Sequence, residues 1–176
     1  MKKNIVLIGF MGSGKSVVGK LLANNIGFTY FDVDKYIEQE SATTIDDIFS
    51  KKGEPYFREL ETKAIKYAST IGKLIISCGG GAVLKTENMD MLENAGIIVC
   101  LKAKPETIFE RILTDTSRPL LKVADPLSKI KELLNSREQH YTRCSFSIDT
   151  DKSSVSEIVN SIINTLVEKY GFKINK

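Results

Sequence analysis

The sequence predicts an α/β domain whose parallel sheet is covered by helices on both faces. Two observations carry this. Short apolar runs that stop at glycine or aspartate alternate with stretches whose apolar residues recur at helical spacing. A glycine-rich loop joins the first such run to the first such stretch, as in sheets whose strands feed helices directly. The length of 176 residues, with 42% hydrophobic residues, suits a single domain spanning 1–176 with a sizeable core.

The elements follow in order. Ile5 to Ile8 form a continuous apolar run ending at Gly9, the pattern of a strand buried on both faces. Val17, Val18, Leu21, Leu22 and Ile26 then repeat at helical spacing until Gly27 closes the helix. Phe28 to Phe31 give a second strand ending at Asp32. Lys73 to Ser77 give a third, before Gly79, Gly80 and Gly81. Ile97 to Leu101 and Phe146 to Ile148 supply the fourth and fifth. A final helix carries Val155, Ile158, Val159, Ile162, Ile163, Leu166 and Val167 on one stripe. Between Thr114 and Asp125 the apolar period is lost around Arg118-Pro119, the mark of a lid or a disordered segment.

Composition narrows the function. A net charge of +3 is too small to argue for nucleic acid or a membrane surface. The apolar stretch after Met1-Lys2-Lys3 is too short for a signal segment or a membrane span. Cys78, Cys100 and Cys144 show no paired spacing, so free thiols in a reducing cytoplasm are expected.

Gly9-Phe10-Met11-Gly12-Ser13-Gly14-Lys15-Ser16 matches G-x-x-x-x-G-K-[ST] in full. Its glycines allow a turn in which successive N–H groups point at phosphate oxygens, and the following helix adds its positive end. Lys15 can then reach the β- and γ-phosphates, and the Ser16 hydroxyl can ligate magnesium. The guanine-reading N-K-x-D and the switch string D-x-x-G are absent, which argues against a regulatory GTPase. The acidic strand end is Phe31-Asp32-Val33-Asp34. One carboxylate there can hold hydrated magnesium while the other accepts a proton from an attacking hydroxyl. Alternatively, Asp34 simply caps a helix from Lys35 to Gln39. In sheets of this kind ligands bind beyond the carboxyl ends of the strands, where Gly9, Asp32, Asp34 and the triple glycine all fall.

These residues resemble the shikimate kinase family. The resemblance runs from the first strand to the last helix. Its parts are G-F-M-G-S-G-K-S at 9–16, F-D-V-D at 31–34, E-P-Y-F-R-E-L-E at 54–61, S-C-G-G-G at 77–81, R-P-L-L at 118–121 and R-x-x-x-Y at 137–141. It implies a P-loop fold with a five-stranded sheet in order 2-3-1-4-5, a substrate-binding helical insert at about 35–60 and a mobile lid at about 114–125. It implies transfer of the ATP γ-phosphate to the 3-hydroxyl of shikimate, with Mg²⁺, on the way to aromatic amino acids. By the same resemblance Gly12, Ser13, Gly14, Lys15, Ser16 and Val17 cradle the phosphates, and Ser16 and Asp32 serve the metal. Asp34 contacts the substrate hydroxyls as proton acceptor, while Arg58, Arg137 and Gly79 to Gly81 hold shikimate. Arg118 closes on the phosphates from the lid, and Arg111 lies by the adenine. Neither a nucleic acid nor a membrane is expected as partner, and the chain is expected to be a monomer.

Beside this resemblance, Arg58 and Arg137 have the planar donors that a carboxylate accepts as a fork. Glu61, one turn after Arg58, is placed to hold that guanidinium. Phe49 and Phe57 suit either the substrate ring or the core. Two features depart from the family pattern. Arg143 stands where an acidic residue is usual, and the 149–154 loop has no proline to stack on a base. His140 reads as a solvated helix residue. A gluconate-type kinase and a non-catalytic nucleotide-binding module are the alternatives.

Overall fold

The computed structural model describes residues 4–113 and 125–173. Its strands are β1 (Asn4–Ile8), β2 (Thr29–Asp32), β3 (Leu74–Ser77), β4 (Gly96–Lys102) and β5 (Phe146–Asp149), in the order β2-β3-β1-β4-β5. Every neighbouring pair is parallel, with Ile5 opposite both Ile75 and Ile97, and Val99 opposite Phe146. The central strands β1, β3 and β4 are buried on both faces, whereas β2 and β5 at the edges are half-exposed. That explains why the central runs are continuously apolar.

Alternate residues of β1 face opposite layers. Val6 and Ile8 join one core cluster with α2 (Val33–Ser41), α3 (Ile45–Thr70) and α4 (Thr86–Ala95). Ile5 and Leu7 join another with α1 (Lys15–Ile26) and α7 (Val155–Tyr170). A smaller cluster of Phe10, Ile108, Ile112 and Ile130 ties the phosphate loop to α5 (Pro105–Ile112) and α6 (Pro126–Tyr141). Each fully buried Leu or Ile in these layers contributes about 1.5–3 kcal/mol. Gly27 closes α1 with a φ of 70°, and Ser154 and Glu157 form a reciprocal capping box at the start of α7.

Several boundaries and assignments differ from expectation. Strands β2 and β3 each begin one residue later, and β4 extends one residue at both ends. Val17 does not belong to the core stripe of α1. At the first turn of the helix it faces the cavity beside the phosphate loop, and it is 58% exposed. Helix α2 begins at Val33, because Val33 and Ile37 form a buried i, i+4 pair, and its cap is Asp32 rather than Asp34. The 35–60 insert consists of α2 and the first part of α3, broken at Gly53, whose φ of 78° interrupts the helix two residues before Pro55. Phe57 is buried and packs on Phe49 with ring centroids 4.8 Å apart, so both belong to the core. Arg143 grips α4 through Glu93 (2.7 and 2.8 Å) and Asp90 (2.7 Å), outside the site cavity. Cys78 and Cys100 are buried free thiols, Cys144 is a half-buried one, and His140 is exposed. Among the described residues no helix is long and apolar enough to cross a membrane.

Candidate active site

Beyond the carboxyl ends of β1, β2 and β3 lies a cavity of about 400 Å³. Its lining includes Met11 to Val18, Asp32, Asp34 and Ser77 to Gly80. The phosphate loop, residues 9–16, leaves β1 and enters α1 directly. Gly14 stands at the helix cap with φ 93°, a conformation costly for any residue with a Cβ. The Lys15 ammonium donates to the carbonyls of Gly9 (2.8 Å) and Phe10 (2.9 Å), which holds it over the loop.

Asp32 is fixed from both sides. Its Oδ1 accepts the backbone N–H groups of Asp34 (3.1 Å) and Lys35 (3.3 Å), and its Oδ2 accepts the Tyr30 hydroxyl at 2.9 Å. Burial pushes the Tyr30 phenol up to about 12, so it stays a donor. Asp34 therefore sits in the first turn of α2, next to the triple glycine. A Cβ added at Gly79 would stand 2.9 Å from Asp34 Oδ1 and 3.1 Å from Glu61 Oε1.

Arg58 and Arg137 arrive from different helices. Arg58 on α3 donates to Glu61 (2.9 Å) and, through two nitrogens, to Glu54 (2.8 and 3.1 Å). Burial works against its charge, but Glu61 and Glu54 more than offset this and hold the guanidinium above its ordinary range. Arg137 on α6 reaches Gly80 O at 3.5 Å, and Tyr141, one turn later, donates to the same oxygen at 2.9 Å. A Cβ at Gly81 would overlap the Arg58 guanidinium, and one at Gly80 would lie 3.7 Å from Arg137 Nη1. The triple glycine thus has Arg58 against Gly81 and Arg137 beside Gly80, and at Gly81 only a residue without a side chain leaves room for the guanidinium.

Glu61 is fully buried, and its Oε1 has no hydrogen-bond partner among the described residues. Burial raises its carboxyl to about 7, although Arg58 pulls it down, and nearby Asp34 adds to the rise.

On the nucleotide side, Arg111 donates to Thr150 Oγ1 (3.0 Å), Thr150 O (2.5 Å) and Gly12 O (3.3 Å), tying the phosphate loop to the β5–α7 connection. Thr150, Ser153, Val155 and Ile158 continue the cavity wall beside it. Sequence reasoning assigned none of these four to the site. Of the lid, 114–124 lie outside the described residues, Arg118 among them. Asp125 caps α6, accepting the Ser128 N–H at 3.1 Å.

The family model for shikimate kinase matches residues 11–167. The chain belongs to the shikimate kinase family. A shikimate kinase from Thermodesulfovibrio yellowstonii is 47% identical over 161 residues, covering 92% of this chain and 93% of that one. Another, from Caldicellulosiruptor bescii, is 48% identical over 149 residues, covering 85% and 87%. Among solved structures, shikimate kinase from Acinetobacter baumannii in complex with shikimate superposes with a TM-score of 0.91. It is 33% identical to this chain, with coverage of 97% of this chain and 96% of that one. The sheet order and the flanking helices are those the resemblance implied.

Proposed function

We infer that this chain transfers the γ-phosphate of ATP to the 3-hydroxyl of shikimate, giving shikimate 3-phosphate and ADP in aromatic amino acid biosynthesis. The observation that carries this reading is that Arg58 and Arg137 flank Gly81 and Gly80, next to Gly79, which lies against Asp34 and lines the phosphate-loop cavity. A small acid with several hydroxyls fits that arrangement. Its carboxylate takes the two guanidiniums, and a hydroxyl faces Asp34. A gluconate-type kinase or a non-catalytic module does not account for two arginines on one glycine turn.

In this mechanism Gly12 to Val17 present backbone N–H groups to the phosphates, and Lys15 offsets charge on the transferring group. Asp34 receives the hydroxyl proton or orients that hydroxyl for in-line attack. Arg111 stands by the base, with Val155 and Ile158 as an apolar second wall in place of a proline. Arg118, brought in by the lid, completes the charge around the phosphates and helps exclude water. The donors offered to a metal are the Ser16 hydroxyl and the Asp32 carboxylate, all oxygen, which suits Mg²⁺. Hydrogen bonds to both Asp32 oxygens fix the carboxylate, and it keeps acceptor capacity for the ion or one of its waters. Held by Ser16 and Asp32, Mg²⁺ would supply positive charge that offsets the charge developing on the phosphates. The whole chain is taken as one cytoplasmic, monomeric kinase domain.

The test is ADP release from ATP and Mg²⁺ with shikimate, with gluconate and with no acceptor. Release that depends on shikimate alone supports the assignment. Gluconate-dependent release, or none with any acceptor, rejects it.

A further inference from the structure

A second cavity, of about 300 Å³, lies behind the phosphate loop between the end of β4 and helix α6. It shares no lining residue with the active-site cavity, and nothing in the phosphoryl-transfer mechanism uses it. Its size is at the lower bound of pockets that bury small organic ligands. The floor is neutral. Phe10, Cys100 and Tyr141 are buried and Leu134 is half-buried. The rim is charged with both signs. Lys102, at the end of β4, and Glu138, on α6, both line the cavity and are exposed. Neither side chain forms an ion pair among the described residues.

This pattern selects the chemistry of an occupant. A hydrocarbon would fill the floor but leave both rim charges unused. A simple acid or a simple amine would meet one rim charge with attraction and the other with repulsion. A molecule with a bulky apolar body and with ammonium and carboxylate at one end meets all three demands. We propose that this cavity binds a free amino acid with a large apolar side chain, its ammonium on Glu138 and its carboxylate on Lys102. An aromatic side chain suits the floor best, since Phe10 and Tyr141 offer ring surfaces.

The site is well placed to be felt by the enzyme. Its walls include Gly9 and Phe10, whose carbonyls hold Lys15, and Tyr141, whose hydroxyl holds Gly80. An occupant therefore touches the phosphate loop at Gly9 and Phe10, and it reaches Gly80 only through Tyr141.

Isothermal titration of the full chain with L-phenylalanine tests this without ATP or turnover, so failure of the kinase assignment would not affect it. Saturable binding of one molecule per chain is expected, and it should persist with shikimate present. Removing the ammonium (3-phenylpropionate) or the carboxylate (phenethylamine) should weaken binding up to about fivefold, the upper end for a solvent-facing ion contact. Glu138→Gln and Lys102→Gln should each do the same to L-phenylalanine, and both replace exposed side chains remote from the fold's core. Three results would overturn the proposal: no saturable binding at millimolar concentration, displacement by shikimate, or affinities unchanged by the ligand truncations and the two substitutions.

Discussion

Lys15 and Asp34 show how far single residues can be read. The Lys15 side chain rests on two loop carbonyls that the loop's own backbone positions. Lys15→Met should therefore leave the fold intact and lower kcat at least a hundredfold, since charge contacts to a transferring group are typically worth that much. Circular dichroism together with the ADP-release rate checks both halves, and retention of more than about a tenth of kcat would remove the lysine from the mechanism. Asp34 had two readings from sequence, proton acceptor or helix cap. The cap is Asp32, so Asp34 is left beside the triple glycine with no capping role to explain it. Asp34→Asn should lower kcat sharply with little change in the Kd for ATP, because an amide holds a hydroxyl but takes no proton at neutral pH. An unaltered kcat would reduce Asp34 to a positioning residue. The reason both readings stay open in the sequence is physical. Strand β2 ends at Asp32 and α2 starts at Val33 with no loop between them, so F-D-V-D looks like strand in its first half and helix in its second.

At the scale of elements, helix α3 carries Arg58 and Glu61 as a single unit. Arg58 and Glu61 lie one turn apart, and Glu61 is wholly buried while Arg58 points toward Gly81. A carboxyl raised from 4.5 to about 7 favours the fold most when it is protonated. Its contribution is complete below the unfolded value and is lost as pH rises through about 7, because the folded state binds more protons across that window. Glu61→Gln removes this loss. Urea unfolding should find the variant gaining on wild type by on the order of 3 kcal/mol between pH 4.5 and pH 8. A constant difference across that range would mean that Glu61 stays ionised throughout. The strands and the last helix were legible because burial on both faces writes a continuous apolar run, and a helix packed on a sheet writes a stripe. The Arg111–Thr150 link was not legible. It joins residues 39 apart through a backbone carbonyl, and neither side chain changes any local period.

The whole molecule is what brings the site together. The phosphate loop comes from β1, Asp34 from α2, Arg58 from α3 and Arg137 from α6, and only the β2-β3-β1-β4-β5 order sets them around one turn. No spacing in the sequence states that Arg58 and Arg137 meet. The family resemblance implied it, and the glycine geometry fits it, since a side chain at Gly81 would overlap the Arg58 guanidinium while Gly80 lies against Arg137. Convergence makes a measurable claim about coupling. If both arginines hold the substrate carboxylate, Arg137→Ala should weaken shikimate about ten- to a hundredfold, the usual loss for a charged hydrogen-bond partner. Arg58→Lys should also be harmful, because a point charge does not reproduce the planar fork. The decisive comparison replaces the carboxylate of shikimate by a neutral amide and measures Kd for acid and amide against wild type and Arg137→Ala. The amide should cost the wild type heavily and the variant much less, since part of that interaction is already absent. Because the cycle compares differences, a general loosening of α6 in the variant weakens acid and amide alike and cancels. Equal losses in the two proteins would place the carboxylate elsewhere, leaving Arg137 as a brace for Gly80 alongside Tyr141.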